Sequence, residues 1–265
     1  MISKEEVKGK LSEMYRFRYM FYSLVKKSLF GKYKNSALGF LWNFVTPAIS
    51  ILLFYIVFEN FMGRGIPNYW AYLCVGMFPF SFMNTNLIGG ASNITSNGGM
   101  IKKMYFPREL LPLSQVAYTL IVFLIAYSIV FLIMLLTGFP LSSEGMLALP
   151  FLIMTMFVFS FGTILLTSAI SVYSRDFEYL ITAIARVLFW VTPIFYMIDS
   201  ITGILSKIIW FNPLTYYVVG LQDIIYRGVM PSSELLIACT LLSFVMLIIG
   251  VYVFEKLKDG FAERI

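Results

Sequence analysis

The stretch LSQVAYTLIVFLIAYSIVFLIMLL, Leu113 to Leu136, runs through the middle of the chain without a single charged side chain. A helix crossing a hydrocarbon core ~30 Å thick needs about 20 apolar residues, and this run meets that length. A barrel strand would alternate apolar and polar residues over ~10 positions, and no such alternation is present. Five further runs reach similar lengths: Ala37–Phe58, Tyr69–Ile88, Leu147–Ile170, Leu180–Ile198 and Leu235–Phe254. Pro47, Pro79 and Pro193 fall inside these runs, as membrane helices allow where neighbours satisfy the freed carbonyls. The expectation is an all-α polytopic membrane protein with six transmembrane helices.

Composition agrees. Of 265 residues, 59% are hydrophobic and 13% charged, with a mean hydropathy of +0.82. A soluble domain carries about 25% charged residues. Aromatics reach 18%, and part of that excess belongs at membrane–water interfaces, where Trp and Tyr collect. The chain has no histidine, which removes the commonest general base and transition-metal ligand. Cys74 and Cys239 both lie in apolar runs and read as packing residues rather than a disulfide. The charged start lacks the compact apolar core and small-residue cleavage site of a signal peptide.

Lysine and arginine set the orientation. Nine precede the first run. Lys102, Lys103 and Arg108 lie between the second and third, Arg175 between the fourth and fifth, and Lys256, Lys258 and Arg264 in the tail. The opposite loops hold only Arg64, Lys207 and Arg227, and Arg186 sits inside the fifth run. Both termini are therefore expected in the cytoplasm.

Three segments outside the runs carry pattern. In residues 1–36, Met14, Phe17, Phe21, Leu24 and Val25 recur mostly at three- and four-residue spacing, with Arg16, Arg18, Lys26 and Lys27 around the other faces. This fits a helix lying in the membrane interface with its cations on anionic headgroups. A bare topology signal fits the same charges. The outer loop from Asp199 to Glu234 is long yet apolar. It reads as two short helices, about Gly203–Trp210 and Leu214–Tyr226, broken at Asn212-Pro213, forming either a plug over the bundle or a moving gate. The stretch MIKKMYFPRELLPLSQ, Met100 to Gln115, sits on the cytoplasmic side. With the polar residues before it, it predicts a short helix over about Ser96–Tyr105, stopped and restarted by Phe106-Pro107-Arg108-Glu109. Such a knob suits a force-transmitting contact, and a basic loop obeying the charge rule suits it equally.

Reaction chemistry is missing. The chain contains no GxxxxGK[ST] phosphate loop and no metal-ligand cluster. Nearly all acidic residues fall in loops or tails, so an ion-coupled carrier has little to work with. A glycolipid-processing enzyme would need a convergent set of carboxylates. The sequence describes a membrane domain without its own engine.

Several segments together resemble a known family. They are LGFLWNFVTP (Leu38–Pro47), MIKKMYFPRELLPLSQ, YSRDFEYL (Tyr173–Leu180), FNPLTYYVVGLQDIIYRG (Phe211–Gly228) and the tail FEKLKDGFAERI. Their order and spacing resemble the membrane (permease) subunits of ATP-binding-cassette exporters of lipid-linked polysaccharide, of the O-antigen, capsule and wall-teichoic-acid type. The resemblance implies a homodimer bound to two copies of a cytoplasmic ABC ATPase, which would hold ATP and Mg. No cofactor is expected in this chain and no nucleic-acid partner. The cargo would be a glycan on undecaprenyl diphosphate, in the cytoplasmic membrane of a prokaryote. The resemblance makes Ser96–Tyr105 a coupling helix and the outer hairpin a gate.

Residue expectations follow. Coupling falls to Ser96, Met100, Lys102, Lys103, Tyr105, Arg108 and Glu109, with Arg175 and Asp176 in the other cytoplasmic loop. The channel candidates are Tyr55, Phe58, Trp190, Phe195 and Tyr196, because sugar rings stack on aromatic faces. Bundle packing is the competing reading for each. Arg16, Arg18, Lys26 and Lys27 face the lipid diphosphate or membrane lipids. Asn212, Pro213, Tyr216 and Tyr217 mark the gate. An exporter of lipids or drugs is the alternative within transport, and would show a closed greasy pocket in place of an aromatic channel wall.

Overall fold

The computed structural model describes residues 9, 12–31, 36, 38–59, 66–141 and 143–265. Lys4, Lys8, Lys10, Lys32, Lys34 and Arg64 lie outside the described residues. Among those described, the regular elements are helices only. In chain order they are α1 Arg18–Gly31, α2 Trp42–Glu59, α3 Tyr69–Asn93, α4 Gly98–Ile101, α5 Leu110–Leu136, α6 Leu149–Tyr173, α7 Asp176–Val191, α8 Ile204–Phe211, α9 Pro213–Gln222, α10 Ser233–Leu257 and α11 Phe261–Arg264.

Each of the six apolar runs carries a helix. Among the described residues, four segments are long and apolar enough to cross a membrane: Gly39–Glu59, Leu110–Leu136, Met146–Tyr173 and Ser233–Arg264. The pair α8–α9 is bent by 95° and would make a fifth as one broken span. α3 has the length, at 25 residues, but Asn84, Asn86, Ser92 and Asn93 in its second half lower its hydropathy. α7 stops at Val191 after 16 residues, short of the Ile198 end expected from the apolar run. Thr192 is extended, with ψ 134, because the ring of Pro193 disfavours helical backbone in the residue before it.

α6 is the central post, packed against α3 and α10. A Cβ added at Gly250 would overlap the Gly162 carbonyl, and one at Gly162 would overlap the Met246 main chain. Lipid offers no hydrophobic drive for helix pairing, so close approach at small residues holds such helices together. Ser243 of α10 adds a buried hydrogen bond to the Thr155 carbonyl of α6 at 2.8 Å.

A smaller apolar core closes one end of the bundle, and a larger one runs from its middle to the other end. One joins Leu24, Ile94, Ile101, Phe106, Leu111, Val172, Phe254 and Phe261. These come from α1, the α3–α5 connection, the end of α6 and the tail, all segments assigned to one side by charge. The other joins Tyr69, Tyr72, Phe195, Tyr217 and Ile224 with Phe139 and Met146 packed on it. These come from the segments assigned to the opposite side.

Candidate functional site

Three places in the bundle hold the expected residues: the end formed by α1, α4 and the tail, the break after α7, and the exposed face of α7.

At the first end, helix covers less of the Ser96–Tyr105 segment than the sequence predicts. A 3-10 turn at Thr95–Asn97 leads into α4, and Met104–Pro107 is not helical. Pro107 accounts for this stop, since it disfavours helix at Phe106. Ser96, Lys102 and Lys103 are exposed and Met100 is half-buried on the end core. Tyr105 is 83% exposed and donates to Glu13 Oε1 at 3.0 Å. That bond to a carboxylate raises the phenol pKa above its ordinary value.

The tail FEKLKDGFAERI ties this segment to the α6–α7 junction, a role sequence reasoning missed. Ile265 packs against Gly98, where a Cβ would overlap it. Lys258 Nζ donates to Glu109 Oε1 at 3.2 Å and pairs with Glu255 at 2.9 Å. The Arg108 guanidinium lies 5.9 Å from the centre of the Phe261 ring, and its Nη1 is buried without a partner among the described residues. Arg264 lies 4.4 Å from the centre of the Tyr173 ring, and the Tyr173 hydroxyl donates to the Leu257 carbonyl at 2.9 Å. Arg175 and Asp176 follow, exposed at the start of α7. Phe261 at seven residues from Phe254, both apolar in a charged tail, is the signal that pointed here. A half-open cavity of about 680 Å³ lies beside this junction, lined by charged residues as well as by Phe161, Leu165 and Val251.

Arg16, Arg18, Lys26 and Lys27 are all exposed. Arg18 is sandwiched by Tyr15 and Tyr19, with ring centres 4.8 and 4.6 Å away. Leu24 and Val25 are the buried residues of α1, and Met14, Phe17 and Phe21 are half-buried.

At the break, the non-helical segment after α7 leaves carbonyls inside the bundle, and three long-range donors take them. The Tyr72 hydroxyl lies 3.2 Å from the Pro193 carbonyl and 2.6 Å from that of Tyr196. Gln222 Nε2 donates to Pro193 at 3.0 Å, and Tyr69 to Phe195 at 3.0 Å. Asn212 caps α9 by accepting the Leu214 N–H at 3.0 Å, and its Nδ2 donates to Thr192 Oγ1 at 2.8 Å. The hairpin and the end of α7 are thereby one hydrogen-bonded unit. Pro213 occupies the first turn of α9, where a missing N–H costs nothing.

The channel and gate candidates separate. Trp190 is 59% exposed, whereas Phe195 is 1% exposed and Tyr217 fully buried. Phe195 centres an aromatic cluster with Phe54 at 4.6 Å, Phe189 at 5.2 Å, Phe58 at 5.4 Å and Trp190 at 5.8 Å. Tyr217 donates to the Cys239 carbonyl at 2.9 Å and lies 2.7 Å from Ser243 Oγ. Tyr55 is half-buried and stacks on Tyr69. Tyr196 is half-buried, its hydroxyl on the Val191 carbonyl at 2.8 Å, and Tyr216 packs on Trp210 at 5.0 Å. In one copy of the chain, Phe195 and Tyr217 are core residues.

α2 has no fully buried residue, and α7 buries only Ile181 and Ala185. These two helices present most of their surface outward.

Residues 19–226 match the ABC-2 type transporter membrane family. Among curated proteins, the chain is 29% identical over 256 residues to an O-antigen export system permease protein RfbA of Klebsiella pneumoniae, covering 96% of this chain and 98% of that one. A second RfbA from the same organism is 29% identical over 252 residues, 94% of this chain and 97% of the relative. The RfbA of Myxococcus xanthus is 28% identical over 255 residues, covering 96% and 98%.

Proposed function

The chain belongs to the ABC-2 type transporter family, and on that premise we propose that it is the permease subunit of an ATP-driven exporter of lipid-linked polysaccharide. Its cargo is a glycan or polyol-phosphate chain of the O-antigen, capsule or teichoic-acid type, carried on undecaprenyl diphosphate. Two copies assemble with two copies of a cytoplasmic ABC ATPase, which binds ATP and Mg. The chain spans the cytoplasmic membrane six times, through α2, α3, α5, α6, α7 and α10, with both termini inside. It performs no covalent chemistry of its own.

The observation that carries this reading is the near-full-length match to permeases whose names state O-antigen export. The outward surfaces of α2 and α7 leave room for a second copy. A second copy packed there by two-fold symmetry would enclose a path between identical walls. The exposed Trp190, with the half-buried rings of Phe54, Phe58 and Phe189 beside it, supplies a wall of the kind sugar rings stack on.

In the mechanism this supports, closure of the ATPase dimer pushes on α4 and on the Arg175–Asp176 turn. The tail couples the two, because Ile265 and Arg264 touch Gly98 and Tyr173. Movement of α7 then reaches the α8–α9 hairpin through the Thr192–Asn212 hydrogen bond. The test is deletion of the coding sequence in the source cell. Loss of surface glycan with lipid-linked glycan accumulating inside, reversed by the intact chain, is the expected outcome. Unchanged surface glycan would reject the reading.

A further inference from the structure

α7 carries an arginine where a membrane helix rarely tolerates one. Arg186 lies ten residues from the start of α7 at Asp176, a rise of about 15 Å at 1.5 Å per residue. With the charged first turn of α7 at the inner boundary, that lies well inside a hydrocarbon core ~30 Å thick. Arg186 is exposed, and no hydrogen bond or ion pair is formed by it among the described residues. Its Cα–Cβ bond tilts toward the helix N-terminus, so the side chain leans toward the Asp176 end of α7. Arginines inside membrane helices face a bundle interior or a water-filled cavity, not lipid. Arg186 faces away from its own bundle, and the export reading puts an aqueous path on that outer face of α7.

The same face is built of more than one residue. Tyr179, Ala183, Arg186 and Trp190 fall within about 60° around the helix axis at 100° per residue. All four are exposed, Tyr179 at 78% and Trp190 at 59%. A cation flanked along the axis by two aromatics, with a small residue between, is a surface for a ligand with both ring faces and negative charge.

No described carboxylate of this chain lies at the depth of Arg186 along a long helix. Of the fourteen acidic residues, Glu5 and Glu6 lie outside the described residues, and the others sit in loops, tails or the terminal turns of helices. Asp176 and Glu178 occupy the first turn of α7 and Glu59 ends α2.

Building on the export reading, we propose that Arg186 is an oxyanion-binding position on the wall of the path, recognising phosphate or carboxylate oxygens on the passing cargo. Two sources supply that chemistry: acidic groups in the polymer repeat, or the diphosphate of the lipid anchor.

The experiment uses the full permease–ATPase complex in proteoliposomes with two polymers of matched length on undecaprenyl diphosphate. One is a neutral mannose polymer and the other a glycerol-phosphate polymer. Arg186→Gln and Arg186→Lys are compared with the unmodified complex, with ATPase co-purification as the assembly control. Loss of one charge-assisted contact predicts a fall of roughly tenfold in translocation for Arg186→Gln, restored in large part by Arg186→Lys. A fall confined to the phosphate polymer assigns the oxyanion to the repeat. An equal fall on both polymers, rescued by lysine, assigns it to the anchor. Unchanged translocation by Arg186→Gln, or a fall that lysine does not rescue, overturns the proposal while leaving export intact. An unmodified complex that moves neither polymer overturns the export reading itself.

Discussion

The Tyr72 hydroxyl reaches across the bundle to the carbonyls of Pro193 and Tyr196, at 3.2 and 2.6 Å. This one side chain of α3 satisfies two main-chain acceptors that the α7 break exposes within the membrane. Tyr72→Phe leaves one carbonyl unpaired while Gln222 still serves Pro193. The expected cost is about 1–3 kcal/mol, read as a lower thermal unfolding midpoint of the complex in detergent. An unchanged midpoint would mean the break is held by packing alone.

The α6–α10 contact sets a second expectation. Gly250 leaves no room for a Cβ against the Gly162 carbonyl. Gly250→Ala should cost about 1–3 kcal/mol through overpacking, and Gly250→Leu should abolish membrane accumulation of the chain. Gly99, whose added Cβ meets nothing within 4 Å, gives the control: Gly99→Ala should accumulate normally.

Docking of the ATPase separates cleanly from folding at the α4 end. Lys102 and Lys103 are exposed, so Lys102→Glu with Lys103→Glu should reduce ATPase co-purification without lowering the unfolding midpoint. Arg108 belongs to the other class. Its guanidinium packs on Phe261, an interaction worth about 0.5–1 kcal/mol, so Arg108→Ala should lower the midpoint as well. Reduced stability from the lysine pair would contradict this division.

The tail should matter through its ion pairs. Lys258 bridges Glu109 and Glu255 with about a quarter of each side chain or less exposed. A double-mutant cycle with Lys258→Met and Glu109→Gln should give a coupling of about 1 kcal/mol. The same variants should uncouple ATP hydrolysis from transport if the tail carries motion between the two loops, and tightly coupled hydrolysis would contradict that role.

Much of this molecule was legible in its sequence because membrane helices advertise themselves locally. The apolar runs found α2, α3, α5, α6 and α10, and Asn212-Pro213 marked the hinge of the hairpin. The aromatic roles were harder. Trp190 and Phe195 lie five residues apart in the same run, and composition treats them alike. Pro193 between them ends the helix, so one remains on the outward face and the other turns into the core. Tyr217 is hidden for a related reason: its buried hydroxyl needs Cys239 and Ser243, whose proximity only the folded chain reveals. The Tyr72–Pro193 contact spans 121 residues of sequence, and no local pattern announces it. Arg186 was visible as an intramembrane charge, but its exposure on a face shared with Tyr179 and Trp190 required the helix to be placed.

The central claim is ATP-driven movement of lipid-linked polysaccharide through a dimer of this chain. The most direct measurement is delivery of an undecaprenyl-diphosphate-linked polysaccharide to the far side of sealed vesicles holding the purified permease–ATPase complex. The account predicts delivery that requires ATP and Mg, from a complex containing two copies of this chain. Delivery without ATP, or none from a complete two-copy complex supplied with its cargo, would contradict it.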